Sequence, residues 1–136
     1  MPGSFLDANV LLYIASSDDS KADRAEALIE AGGTISVQVL NEVANVTRRK
    51  MRFTWQETRR FLSTIRDVLV VEPITIETHD LGLDLAERYG LSTFDAMIAA
   101  SALQAGCDTL WSEDMQEGLL LERRLRIRNP FKSPRS

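Results

Sequence analysis

Short apolar runs alternate along this chain with longer stretches in which apolar residues recur at helical spacing. That alternation leaves few folds open, because each helix must bury one stripe against a sheet whose strands are themselves apolar. Strands are predicted over residues 4–7, 34–37, 68–71 and 108–112, with 125–128 as an edge strand. Between them, helices are predicted over 9–15, from a Ser20 cap to Gly32-Gly33, and along the stripe Val39, Leu40, Val43 and Val46. Thr54 and Glu57 form a capping box that opens a fourth helix, with Phe61, Leu62, Ile65 and Val68 or Leu69 inward. A fifth runs over 75–89 and stops at Gly90, and Ser92 opens a sixth. From Phe94 to Leu103 that last helix is apolar almost all round, so it belongs in the middle of the molecule. The pattern as a whole predicts an α/β fold, a mainly parallel sheet with helices on both faces.

A chain of 136 residues suits one domain, placed at 1–131, with a short basic tail at 132–136. The lone Cys107 excludes an internal disulfide and reads as a small residue at the edge of the core. The apolar stretch 5–15 is broken by Asp7 and Asn9 and lacks a preceding basic region, so it is not an export signal. With no run of membrane-spanning length either, a cytoplasmic location is expected and no membrane partner. The net charge of −4 speaks against a general nucleic-acid binder. The distribution is uneven, however: residues 123–136 hold six basic and no acidic residues, whereas the rest holds ten basic and twenty acidic. Two readings stand for that end, contact with an anionic partner or a solvated terminus.

Four carboxylates sit where their charge is awkward. Asp7 ends a strand between Phe5-Leu6 and Val10-Leu11-Leu12, either as a helix cap or as a partly buried charge. Glu42 belongs to the polar stripe Gln38, Glu42, Asn45 and lies at the margin of a buried face. Asp95 is a capping-box residue on Ser92, yet it also opens the most apolar helix. Asp114 follows the strand 108–112 into a loop, as a turn residue or at a ligand-binding edge. In open parallel sheets ligands bind outside the carboxyl ends of strands, and all four acids fall at or near that edge. Two carboxylates ~5 Å apart repel by roughly 3 kcal/mol at an effective dielectric of about 20. Four together would take up protons or require a cation, and hard oxygen donors suit Mg²⁺ or Mn²⁺. His79 is the only histidine, so neither a zinc site nor Ser/His/Asp chemistry is supported.

The segments Phe5-Leu6-Asp7-Ala8-Asn9-Val10-Leu11-Leu12-Tyr13, Ser36-Val37-Gln38-Val39-Leu40-Asn41-Glu42-Val43, Leu91-Ser92-Thr93-Phe94-Asp95-Ala96-Met97-Ile98-Ala99-Ala100 and Trp111-Ser112-Glu113-Asp114-Met115 occur in the order found in a known family. The sequence resembles PIN domains and, within them, the VapC-like toxins of toxin–antitoxin modules, from Phe5 to about Phe131. The resemblance implies a three-layer α/β/α sandwich and an endoribonuclease that uses Mg²⁺ or Mn²⁺. Its acids map onto Asp7, Glu42, Asp95 and Asp114, with Asp7, Asp95 and Asp114 as preferred ligands and Glu42 as a ligand or a water-positioning group. Ser112 corresponds to a small hydroxyl residue that would orient Asp114 or a water, and Asn9 would support the site. A homodimer, an RNA substrate and a cognate antitoxin are implied partners, with DNA reached only through the antitoxin. Arg48, Arg49, Lys50 and Arg52 are candidate RNA contacts, or simply a solvated helix end that suits the helix dipole.

Two rivals follow from the same residues. A phosphoaspartyl enzyme also places an aspartate after its first strand, but Asp7-Ala8-Asn9 lacks the second acid that a dehalogenase-like phosphatase or a receiver domain would want. A catalytically silent PIN-like module acting only through antitoxin and DNA is the other.

Overall fold

The computed structural model describes residues 3–132. Its sheet has six strands in the order β3-β2-β1-β4-β6-β5. These are β1 (Ser4–Leu6), β2 (Thr34–Ser36), β3 (Val70–Glu72), β4 (Thr109–Trp111), β5 (Leu120–Leu121) and β6 (Leu125–Arg128). All pairings are parallel except that of β5 with β6. The helices are α1 (Ala8–Leu12), α2 (Asp19–Glu30), α3 (Val37–Arg49), α4 (Trp55–Val68), α5 (Ile76–Tyr89) and α6 (Thr93–Gln104). A 3₁₀ turn over Tyr13–Ala15 extends α1.

The chain builds outward from β1 to β2 to β3, then returns to lay β4 on the other side of β1. Right-handed crossovers therefore put α1–α4 on one face and α5–α6 on the other, which makes the three layers. The strands are apolar because parallel strands are covered on both faces: Phe5, Leu6, Ile35 and Leu110 are wholly buried. On α6, every residue from Ala96 to Leu103 is buried. The small side chains Ala96, Ala99, Ala100 and Ala102 let that helix lie close to the sheet. Gly82 of α5 does the same for the helix pair, since a Cβ there would collide with the sulfur of Met97.

Several local expectations hold in detail. Thr54 and Glu57 make the reciprocal capping box. Gly90 ends α5 in the left-handed region at φ 70°, which glycine adopts without steric cost. Of the two candidates at the end of α4, Leu69 is buried and Val68 is not.

Three expectations are corrected. The cap of α2 is Asp18, not Ser20: its carboxylate accepts from the Lys21 amide, and the Ser20 hydroxyl donates to it. Strand β6 is not an edge, because the two-residue β5 pairs beyond it, burying Leu125 and Ile127 while Arg126 and Arg128 point away. The helix α3 begins at Val37, so the second strand ends one residue earlier than predicted. Of the basic tail, only Lys132 lies within the described residues.

Candidate active site

Register fixes the centre of the site. Leu6 pairs with Trp111, so the next residues on the two strands, Asp7 and Ser112, lie side by side. The ladder closes over them, with the Asp7 amide donating to the Trp111 carbonyl at 2.9 Å and the Ser112 amide to the Arg128 carbonyl at 2.9 Å. This is the place where strand order reverses, between β1 and β4, and it is where open α/β sheets leave a crevice for ligands.

Asp7 is both things that its sequence position allowed. It caps α1, with Oδ1 accepting from the Ala8 amide at 2.7 Å. It is also only 5% exposed, with Oδ2 accepting from the Ser112 hydroxyl at 2.8 Å. Among the described residues no basic side chain reaches it; the ion pairs are Lys21–Glu113 and Arg88–Glu122. Burial pushes its carboxyl up to about 6, against the two hydrogen bonds that favour the charged form. The negative charges of Glu42 and Asp95 push it further in the same direction.

The other acids come from three further elements. Glu42 is half-buried in the second turn of α3, and Gln38 donates from Nε2 to its Oε1 at 3.1 Å. The same amide group donates to the Phe94 carbonyl at 3.1 Å, which ties α3 to the start of α6. Asp95 makes only half of the expected capping box: its amide donates to Ser92 Oγ, while its half-buried carboxylate is not bonded back to the Ser92 amide. Burial raises its pKa, and Asp114 adds to the rise. Asp114 is exposed in the loop after β4, with Oδ2 accepting from Asn9 at 3.1 Å.

Asp7 thus lies in the field of Glu42 and Asp95, and Asp95 in that of Asp114. The four acids do not close on one point: among the described residues no three carboxylates are near enough to hold an ion as they stand. The donors are nonetheless all hard oxygens, and the charge at the centre is buried and unbalanced. That combination fits a hard divalent cation in chemistry.

One supporting residue has a different partner from the one expected, and the other gains one. Ser112 orients Asp7 rather than Asp114, and its oxygen accepts from the Met115 amide at 3.3 Å. Asp114 is held instead by Asn9, whose Oδ1 also accepts from the Glu113 amide at 3.2 Å. Sequence reading missed Gln38 as the partner of Glu42. It also missed the corner in which Lys21 and Tyr13 both reach Glu113, at 2.6 and 2.9 Å.

The basic residues at the end of α3 and just beyond it stand apart from Glu42. Arg48 is half-buried, donates to the Phe53 carbonyl and stacks over Trp55 at 4.2 Å, so it braces the α3–α4 turn. Arg49, Lys50 and Arg52 are exposed, and Arg49 lies seven residues beyond Glu42, roughly 10 Å further along the helix.

A PIN domain model matches residues 4–116, and the chain belongs to that family, whose members are nucleases. A toxin–antitoxin complex from Klebsiella pneumoniae has a similar fold, with a TM-score of 0.73 at 17% identity over 96% of this chain and 99% of that one. VapBC2 from Rickettsia felis, bound to a DNA fragment from its promoter, is similar at a TM-score of 0.65 and 21% identity, covering 93% of this chain and 97% of that one. VapC20 from Mycobacterium tuberculosis, a Sarcin-Ricin loop cleaving toxin, is similar at a TM-score of 0.64 and 20% identity, covering 79% and 86%. No curated protein matches the chain in sequence. Among the described residues, no helix is long and apolar enough to cross a membrane.

Proposed function

We propose that this protein is a metal-dependent endoribonuclease, the toxin of a toxin–antitoxin pair, held silent in the cytoplasm by a cognate antitoxin. The observation that carries the reading is Asp7, a buried carboxylate with no cation beside it, at the strand reversal and in the field of Glu42 and Asp95. A divalent ion there would supply Lewis acidity to a phosphodiester and to an attacking water.

The chain's own groups would do the rest. Ser112 and the Ala8 amide fix both oxygens of Asp7, so its orientation is set before any ligand arrives. Asp95 and Asp114 would complete the ligand set, with Glu42 as a ligand or as the group that positions the water. Gln38 and Asn9 limit how far Glu42 and Asp114 can swing. Phosphate would enter an acidic rim only once a cation is bound, and Arg49, Lys50 and Arg52 would assist from a distance.

Partners follow from the same reading. Relatives of like fold occur with antitoxins and on DNA, which supports an antitoxin partner and DNA contact through it. The apolar Ile76 and Leu83 are exposed one above the other on α5, which supports self-association as a homodimer.

The test is cleavage of RNA by purified, antitoxin-free protein, with Mg²⁺ or Mn²⁺ and with a chelator. We expect cleavage with metal only, and none from Asp7→Asn at unchanged circular dichroism. Full cleavage by Asp7→Asn, or cleavage in chelator, would contradict the proposal. No cleavage under any condition would favour the silent binding module.

A further inference from the structure

Part of the basic run 123–132 is built into the fold. Arg128 finishes β6, and together with Lys132 it lines a groove of about 890 Å³ that also includes Arg24, Trp111, Glu117 and Phe131. The groove lies at the carboxyl ends of β4 and β6. Trp111 is the residue before Ser112, so this groove and the acidic rim share one edge of the sheet.

Its charge runs against that of the whole protein. The chain carries −4, yet Arg24, Arg128 and Lys132 face a single acid, Glu117. That acid is occupied, since its carboxylate accepts from the Asn129 amide. Among the described residues neither Arg128 nor Lys132 is in an ion pair. Lys21 also lines the groove but is already committed to Glu113, at 2.6 Å.

Flat groups are interleaved with these cations. The Arg24 guanidinium lies over Trp111, 5.4 Å from the ring centroid, and its Nε is fixed on the Pro130 carbonyl at 3.1 Å. Phe131 packs edge-on against Tyr13 at 4.7 Å, which holds its ring in place. Cations that neutralise phosphate beside rigid flat surfaces that receive a base are what an unpaired nucleotide requires. Acidic side chains by themselves would meet the charges but offer no flat group to Trp111, whereas every nucleotide carries both.

We propose that this groove binds a single-stranded segment of RNA, with a base against the Trp111–Arg24 stack and phosphates at Arg128 and Lys132. The proposal rests on the nuclease reading for its purpose, and would make the groove the place that holds the strand beside the scissile bond. Binding itself does not need cleavage, so the two can fail separately.

The protein has two tryptophans, and Trp55→Phe leaves Trp111 as the only one. In chelator, a short unstructured oligoribonucleotide should quench Trp111 emission saturably, and the same strand in a duplex should not. Arg128→Ala with Lys132→Ala should weaken binding about tenfold at low salt and reduce the salt slope by about 1.4, the value for two single-strand phosphates. Anisotropy of the labelled strand, with native Trp55 in place, gives the same comparison independently. Unchanged Trp111 emission would overturn the groove, and if such a protein still cleaved RNA the nuclease reading would survive it. Equal quenching by polyglutamate would also overturn the groove, in favour of a protein partner. Quenching by single strands from a protein that cleaves nothing would support the groove and remove the nuclease.

Discussion

Two carboxylates near the end of β4 meet opposite fates. Glu113 is neutralised: Lys21 and Tyr13 both bond to it, and the Lys21 ammonium also lies 4.6 Å from the Tyr13 ring centroid. Asp7, which Ser112 binds from the position between β4 and Glu113, is more deeply buried and has hydrogen bonds but, among the described residues, no counter-charge. A charge that only holds a fold together is cheapest when paired. One that is buried without a partner weakens the fold, and persists where the vacancy in its electrostatics is useful. On the proposed function, the contrast separates a structural corner from a functional one at neighbouring positions of the rim.

The largest way to break this comparison is Asp7→Asn. Beyond the expected loss of cleavage, it should make the protein more stable at neutral pH. The sign follows from the raised pKa. The folded carboxyl titrates near 6 and the unfolded one near 3.8, so between those values the folded state binds more protons. Stability contributed by Asp7 is therefore greatest below about 3.8 and falls as pH rises through 6. The penalty at pH 7 is about 3 kcal/mol before the cost of replacing two hydrogen bonds. Thermal melts should show Asp7→Asn gaining on the native protein as pH is raised from 4 to 7, while equal gains at both ends would refute desolvation of the charge as the cause.

Ser112→Ala should be smaller and opposite. It removes the bond to Oδ2, leaves the charge of Asp7 more costly, and lets the side chain turn. We expect cleavage to fall about 10- to 100-fold, as for other residues that orient a metal ligand. Ser112→Thr should restore part of that loss if orientation is the reason, and melts above pH 6 should show Ser112→Ala destabilised.

Glu113→Gln is the smallest. Lys21 and Glu113 are partly exposed, and such pairs are screened by salt. Cleavage should stay within a few-fold of native, with a slightly lower Tm whose difference vanishes in high salt. A loss of cleavage comparable to that of Asp7→Asn would erase the distinction between the two corners.

Much of this was legible in the chain because periodicity and caps are local. The strand–helix alternation, the all-round apolar α6, the Thr54 box and the Gly90 stop each follow from a few neighbouring residues. The acids were legible as anomalies, charges set against apolar runs. What was hidden depends on register or on distant partners. Strand β5 has two residues and no period, and the tight turn before β6 uses Glu122 and Arg123 at positive φ, where glycine or asparagine would have signalled it. That is why β6 was placed at the edge. The pairing of Ser112 with Asp7 spans 105 residues and that of Lys21 with Glu113 spans 92, and no local pattern encodes either. Arg48 looked like its basic neighbours, and only the fold shows that it is tied to Phe53 and Trp55.

Carboxyl-carbon NMR of Asp7, titrated with pH in the absence and presence of saturating Mg²⁺, reaches the central claim most directly. The apo protein should titrate at about 6, and Mg²⁺ should bring that midpoint down to or below the ordinary aspartate value near 4. A midpoint that stays near 6 at Mg²⁺ concentrations that support RNA cleavage would mean that the ion binds elsewhere and that Asp7 is only a buried cap.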